Sequence, residues 1–129
     1  MKTEVLTILD HQDIQNKIRR IAYQIYESNV DEKEIILAGV VQNGYVIAER
    51  LKVILEEVSD LKCVLCKVKM NKTAPQGTVT TSLDSADYQD KSLVLIDDVL
   101  NSGTTLIYGV KHFLDVPLKQ FKTAVLVNR

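Results

Sequence analysis

The chain of 129 residues contains only two cysteines, has no excess of either charge and has no long apolar run. Each lack removes a class of protein. Cys63 and Cys66 form a single C-x-x-C with no second pair, and His11 and His112 are far off in sequence. The surrounding KCVLCKVKM alternates as a strand does, and residues three apart on a strand leave opposite faces. Such a pair cannot pinch one metal or close an easy disulfide, so both are expected in the core. Lys and Arg number 16 against 17 Asp and Glu, a net charge of −1, which excludes a global basic field for nucleic acid or anionic membrane. A local RNA site stays open. No stretch approaches the ~18 apolar residues of a spanning helix, and the N-terminus lacks a cationic segment followed by an apolar run and cleavage site. The expectation is a cytoplasmic protein with no membrane partner. Repeats and low-complexity segments are absent. So are G-x-x-x-x-G-K-[ST], the mark of a P-loop nucleotidase, and a G-x-G-x-x-G after the first strand, the mark of a dinucleotide fold.

What is present centres on Leu93 to Thr105, LVLIDDVLNSGTT. Four apolar residues run into Asp97 and Asp98, and Asn101-Ser102-Gly103-Thr104-Thr105 then opens a segment of helical period. The order is strand, acidic edge, small-residue loop, helix. A continuous apolar run suits a strand covered on both faces of a parallel sheet, and such sheets bind ligands at their C-terminal edge. The loop lets backbone approach a ligand and ends at a helix N-terminus, which attracts anions. A phosphate fits the loop. The two carboxylates would repel it unless they face sugar hydroxyls or a hydrated Mg²⁺. The ligand that satisfies both is a sugar phosphate. A receiver-type signalling domain would carry its acidic pair after the first strand, and here the pair comes too late.

The rest of the chain alternates strands and helices. Thr3 to Leu9 alternates as a short strand, and Asp10 is placed to cap a helix bearing Ile14, Ile18, Ile21, Ala22 and Ile25 on one face. Arg19 and Arg20 read as a solvated face. Ile35 to Val40 is a buried strand that leads through Gly39 to Gly44 into a helix carrying Ile47, Leu51, Leu55 and Val58. Leu61 to Met70 and Thr78 to Leu83 read as strands around a polar segment, Asn71 to Gly77, with Pro75 and Gly77 in it. After Thr105, Leu106, Val110, His112 and Phe113 continue a helix of about three turns. His112, near its end, is expected at the surface. Phe121 to Val127 is a last buried strand.

LVLIDDVLNSGTT closely resembles the phosphoribosyl-diphosphate signature of type I phosphoribosyltransferases, and the order of elements is similar to theirs from about residue 1 to the end. The long first helix, the glycine-bounded loop and the final AVLVNR look most like the pyrimidine-operon attenuation regulators, which are also uracil phosphoribosyltransferases. The resemblance implies an α/β fold: a Rossmann-like, mostly parallel sheet flanked by helices, with a flexible β-hairpin lid, in one domain over residues 1–129. It implies transfer of a 5-phosphoribosyl group from phosphoribosyl diphosphate to a nucleobase, with uracil the first choice and a purine the second, and pyrophosphate released. Asp97 and Asp98 would hold the ribose and Mg²⁺. Asn101, Ser102, Gly103, Thr104 and Thr105 would wrap the 5′-phosphate. The amides of Val41, Gln42, Asn43 and Gly44 would receive pyrophosphate, where relatives often carry Lys or Arg. Lys69 and Lys72, beside the lid, would neutralise pyrophosphate charge, although each taken singly reads equally as an edge-strand lysine that discourages aggregation. Relatives are commonly homodimers, and their chains continue into a hood over the base; a sequence that stops at Arg129 is expected to be either a fragment of a longer relative or a chain that has lost base recognition. The neutral loop and missing hood leave a second reading, a noncatalytic nucleotide-sensing regulator of RNA or of a protein partner.

Overall fold

The computed structural model describes residues 11–70, 78–100 and 104–128. Helix α1 (His11–Glu27) leads into strand β1 (Glu34–Val40), helix α2 (Asn43–Val58) and strand β2 (Lys62–Met70). A short strand β3 (Val79–Thr81) and a single-turn helix α3 (Ser85–Tyr88) follow. Strand β4 (Ser92–Leu100), helix α4 (Thr104–Phe113) and strand β5 (Gln120–Asn128) complete the order. The strands form one sheet in the order β3-β2-β1-β4-β5, with β3 antiparallel to β2 and the other pairs parallel. This is the α/β architecture expected. No helix among the described residues is long and apolar enough to cross a membrane.

Apolar patterning dictates the layers. β1 is buried from Ile35 to Val40, because helices cover both of its faces. On one face Ile35, Leu37, Val94 and Ile96 meet Ile18, Ala22 and Ile25 of α1 and Ile47, Ala48, Leu51 and Leu55 of α2. On the other, Ile36, Ala38, Leu93 and Leu95 meet Tyr88 of α3 and Phe113 of α4. Cys63 belongs to the first layer and Cys66 to the second, as strand alternation requires. Both are free thiols.

Some expectations shift. The β-rich run Thr78 to Leu83 contributes only Val79–Thr81 as strand, in register with Val68, Lys69 and Met70 of β2. The two arms of the expected hairpin are thus paired, whereas Asn71 to Gly77 lies outside the described residues. So does the expected strand Thr3 to Leu9, with its cap at Asp10. α3 was not anticipated; its four residues are held by a capping box in which the Asp84 N–H donates to Asp87 Oδ2 at 2.9 Å. β4 also runs past the acidic pair to Leu100, because β5 continues beside it as far as Val99↔Val127 and Leu100↔Asn128. Asp97 and Asp98 therefore lie within the strand.

Candidate active site

β1 is followed in sequence by β2 on one side of it, and the chain then crosses to lay β4 on the other. The order reverses between β1 and β4. In open α/β sheets the crevice at such a point, beyond the C-terminal ends of the strands, takes the ligand. Two segments face it here, residues 41–44 and the end of β4.

Glycines bring them together. A Cβ on Gly39 would collide with the Tyr45 Cα and lie 2.6 Å from the Gly44 carbonyl oxygen, so only glycine lets α2 fold back over the end of β1. A Cβ on Gly44 would sit 2.5 Å from the Ile96 carbonyl oxygen and 3.1 Å from the Asp97 Cα. The first turn of α2 thus rests on β4 immediately before the carboxylates. Across this contact Asn43 Nδ2 donates to Asp98 Oδ2 at 3.0 Å.

The ladder between β1 and β4 ends at Gly39↔Ile96, so the carboxylates begin where β4 loses its β1 neighbour and keeps only β5. Ile96 packs in the layer under α2 and Leu95 in the layer under α4. Alternation then directs Asp98 to the α2 side, where Asn43 meets it, and Asp97 to the α4 side. The Asp98 N–H donates to Asp97 Oδ1 at 2.8 Å, which ties the two together along the backbone.

The amides of the loop divide. Val41 N–H donates to the Val68 carbonyl at 2.9 Å and so extends the β1–β2 ladder. It is turned away from the crevice, which leaves Gln42, Asn43 and Gly44 as the loop's amides there. The Val41–Gln42 peptide is cis. Within α2 the first N–H to bond back is that of Val46, to the Gln42 carbonyl at 3.2 Å, and no side chain caps the helix. The preceding N–H groups form the anion-attracting end expected of a helix.

Of the other residues singled out from sequence, Lys69 is exposed on β2, paired in register with Thr80. Thr104 and Thr105 open α4. Lys72, Asn101, Ser102 and Gly103 lie outside the described residues. Sequence reasoning missed Tyr45 and Lys67: the Lys67 Nζ stands over the Tyr45 ring, 5.1 Å from its centroid. Both residues stand in the sequence, but nothing local links two positions on different elements.

Two expectations about lone residues resolve differently. Burial pushes the Cys63 thiol up to about 12 and raises the Cys66 thiol as well, which makes both poor nucleophiles and fits their place in the core. No group of three or more His, Cys, Asp or Glu suited to a metal occurs among the described residues. His112, expected at the surface, is half-buried, with its ring edge-on to Phe113 at 5.3 Å and its Nε2 buried without a partner among the described residues. The reason is that α4 ends against α3 and Val116, where a cavity of about 420 Å³ opens.

The whole arrangement has relatives. The family model described as the phosphoribosyl transferase domain matches residues 4–129. The bifunctional protein PyrR of Bacillus pumilus (strain SAFR-032) is 32% identical over 132 residues, covering 95% of this chain and 73% of that protein. PyrR of Streptococcus pneumoniae (strain CGSP14) is 33% identical, covering 100% of this chain and 75% of its own length. Among solved structures, a hypoxanthine-guanine phosphoribosyltransferase from Bacillus anthracis superposes with a TM-score of 0.74 at 21% identity, over 95% of this chain and 71% of that one. The hypoxanthine phosphoribosyltransferase of Trypanosoma cruzi, in complex with the product IMP, gives 0.78 at 16% identity, over 92% and 67%. These structural likenesses bear on the fold. The family model spans nearly the whole chain and the relatives at 32–33% identity are covered to about three quarters of their length, so the chain belongs to the phosphoribosyl transferase family.

Proposed function

We propose that this phosphoribosyltransferase passes the 5-phosphoribosyl group of phosphoribosyl diphosphate to a nucleobase, uracil first and a purine second. The bond from C1 of the ribose to pyrophosphate breaks, pyrophosphate leaves with the electron pair, and a nitrogen of the base bonds to C1 and gives up its proton. A sugar cation forms transiently in such a displacement, so positioning and charge stabilisation supply the catalysis. The observation that carries the reading is the contact of Gly44 with Ile96, together with the Asn43–Asp98 hydrogen bond, which joins the loop to the acidic strand in one crevice. There the amides of Gln42, Asn43 and Gly44 receive the leaving pyrophosphate. Asp98, on the same side, holds the ribose and favours positive charge developing on it. Asn101 to Thr105 are assigned to the 5′-phosphate on the resemblance alone.

Mg²⁺ is part of the proposal. Asp97 and Asp98 are hard oxygen donors, and no dedicated cluster surrounds them among the described residues. That fits an ion held by one or two carboxylates, water and substrate phosphates. Bound there, it would offset charge on the leaving group. A homodimer in the cytoplasm belongs to the same proposal.

Calorimetric titration with phosphoribosyl diphosphate and with ribose 5-phosphate, each with and without Mg²⁺, tests it. Mg²⁺-dependent binding of the diphosphate, followed by transfer to uracil or hypoxanthine, is the expected result. Absence of binding for both ligands would overturn it.

A second reading has its own support in the loop, where Val40, Val41, Gln42 and Asn43 carry no charge. A regulator that senses a nucleotide and acts on RNA or a protein partner needs the crevice but not the transfer. Under it the chain binds nucleotide without turnover. RNA affinity, if that is the output, falls steeply with salt.

A further inference from the structure

We infer that Lys67, seated over the ring of Tyr45, supplies the pyrophosphate end of the ligand with the positive charge that residues 40–44 lack. The inference rests on the reading above, since it assigns a residue to that site. Pyrophosphate is strongly anionic, and the loop meant to receive it offers only backbone amides and the Gln42 and Asn43 side chains. Asp98, 3.0 Å from Asn43, adds negative charge to the same crevice. Amides contribute only partial charge, and no side chain of the loop supplies a full one.

β2 is the strand beside the loop. It pairs with β1 at Gly39↔Lys67 and Val40↔Val68, and the Val41 N–H continues the ladder to Val68. Cys63 and Leu65 pack in the layer under α2, so alternation carries Lys67 and then Lys69 to that same face. Lys67 is therefore the last but one cation on the strand bordering the loop, on the side where α2 begins.

Its surroundings hold it there. The Lys67 N–H donates to Ser82 Oγ at 2.8 Å, and the Ser82 N–H donates to the Lys67 carbonyl at 3.0 Å. The ammonium stands 5.1 Å from the Tyr45 centroid, a cation–π distance. Tyr45 directly follows Gly44 and is itself fixed, because its Cα lies against Gly39. Lys52, Lys91 and Lys119 are neutralised by Glu56, Glu34 and Glu32. Lys67 has no carboxylate partner among the described residues. An aromatic face steadies its charge without cancelling it, and leaves the ammonium's donors for a phosphate oxygen.

The test compares inorganic pyrophosphate, phosphoribosyl diphosphate and ribose 5-phosphate, titrated with Mg²⁺ into the full chain and into Lys67→Met, Lys67→Arg, Tyr45→Leu and Tyr45→Phe. Lys67→Met is expected to weaken both pyrophosphate-bearing ligands about tenfold, the scale of one lost charged hydrogen bond, and to leave ribose 5-phosphate unchanged. Lys67→Arg restores most of the affinity. Tyr45→Leu weakens the same two ligands, and Tyr45→Phe, which keeps the ring face, does not. The wild-type chain also loses pyrophosphate affinity more steeply with salt than Lys67→Met. Unchanged affinities in Lys67→Met, or an equal loss for ribose 5-phosphate, would overturn the inference alone. A wild-type chain that binds none of the three ligands overturns the underlying reading and the inference with it.

Discussion

At Gly44 a missing side chain is the functional group. The α2 backbone approaches the Ile96 carbonyl so closely that a Cβ would lie 2.5 Å from it, and the obstacle is backbone, which cannot swing aside. Gly44→Ala is expected to lower stability by about 1–3 kcal/mol, the usual scale of overpacking, read from urea unfolding. It also parts the loop from the acidic strand, so affinity for phosphoribosyl diphosphate falls with it. Asp98→Asn asks a different question. The shape is kept and a hydrogen bond to Asn43 remains available, whereas the charge proposed to face the ribose is gone. Steady-state transfer is expected to drop at least about tenfold with little change in melting temperature. Full turnover in a folded variant would remove Asp98 from its assigned role. Neither contact was readable from the letters. Asn43 and Asp98 are 55 positions apart, and no local periodicity links them. What was readable was the residue chemistry: two glycines bounding a turn, and two acids ending an apolar run.

At the scale of elements, β2 shows how a short pattern encodes a buried strand. Its alternation places Cys63 and Cys66 in opposite layers, as sequence reasoning expected. Burial raises both thiols, Cys63 to about 12. A group whose folded pKa is raised contributes stability that is complete below its unfolded value and is lost as pH climbs toward the folded one. The chain is therefore expected to weaken between about pH 9 and pH 12, and Cys63→Ala should flatten that fall, measured by chemical unfolding across the range. Where α1 ends and β4 begins, a polar link does what apolar packing does elsewhere. Ser92 Oγ donates to Asn29 Oδ1 at 2.6 Å, and Asn29 Nδ2 donates to the Ile25 carbonyl at 2.8 Å, all of it buried. Ser92→Ala strands the Asn29 oxygen and is expected to cost about 1–3 kcal/mol, whereas Ser92→Ala with Asn29→Leu should recover part of it. Long apolar elements were legible because periodicity over many residues survives tertiary context. α3 and the extension of β4 were not, since one depends on a four-residue capping box and the other on a neighbouring strand.

For the molecule as a whole, the sheet is most protected at its middle. β1 has parallel neighbours on both sides and helices over both faces, whereas β3 is three residues long and pairs on one side only. Amide hydrogen exchange is expected to be slowest in β1 and the adjoining half of β4 and fastest in β3; β3 amides as slow as those of β1 would contradict this order. The alternation of strand and helix announced an α/β sheet, but the reversal of strand order between β1 and β4 is a fact of three dimensions, and the site depends on it. This has a consequence for how the protein is made. Synthesis delivers α1, β1 and the turn around Gly44 before Ile96, so β4 joins the surface against which α2 lies only after α1, β1 and β2. No ligand of the crevice has both of its walls to grip until β4 has been translated and has docked beside β1. Whatever stability such a ligand lends is thus available to the finished sheet and not to the growing chain.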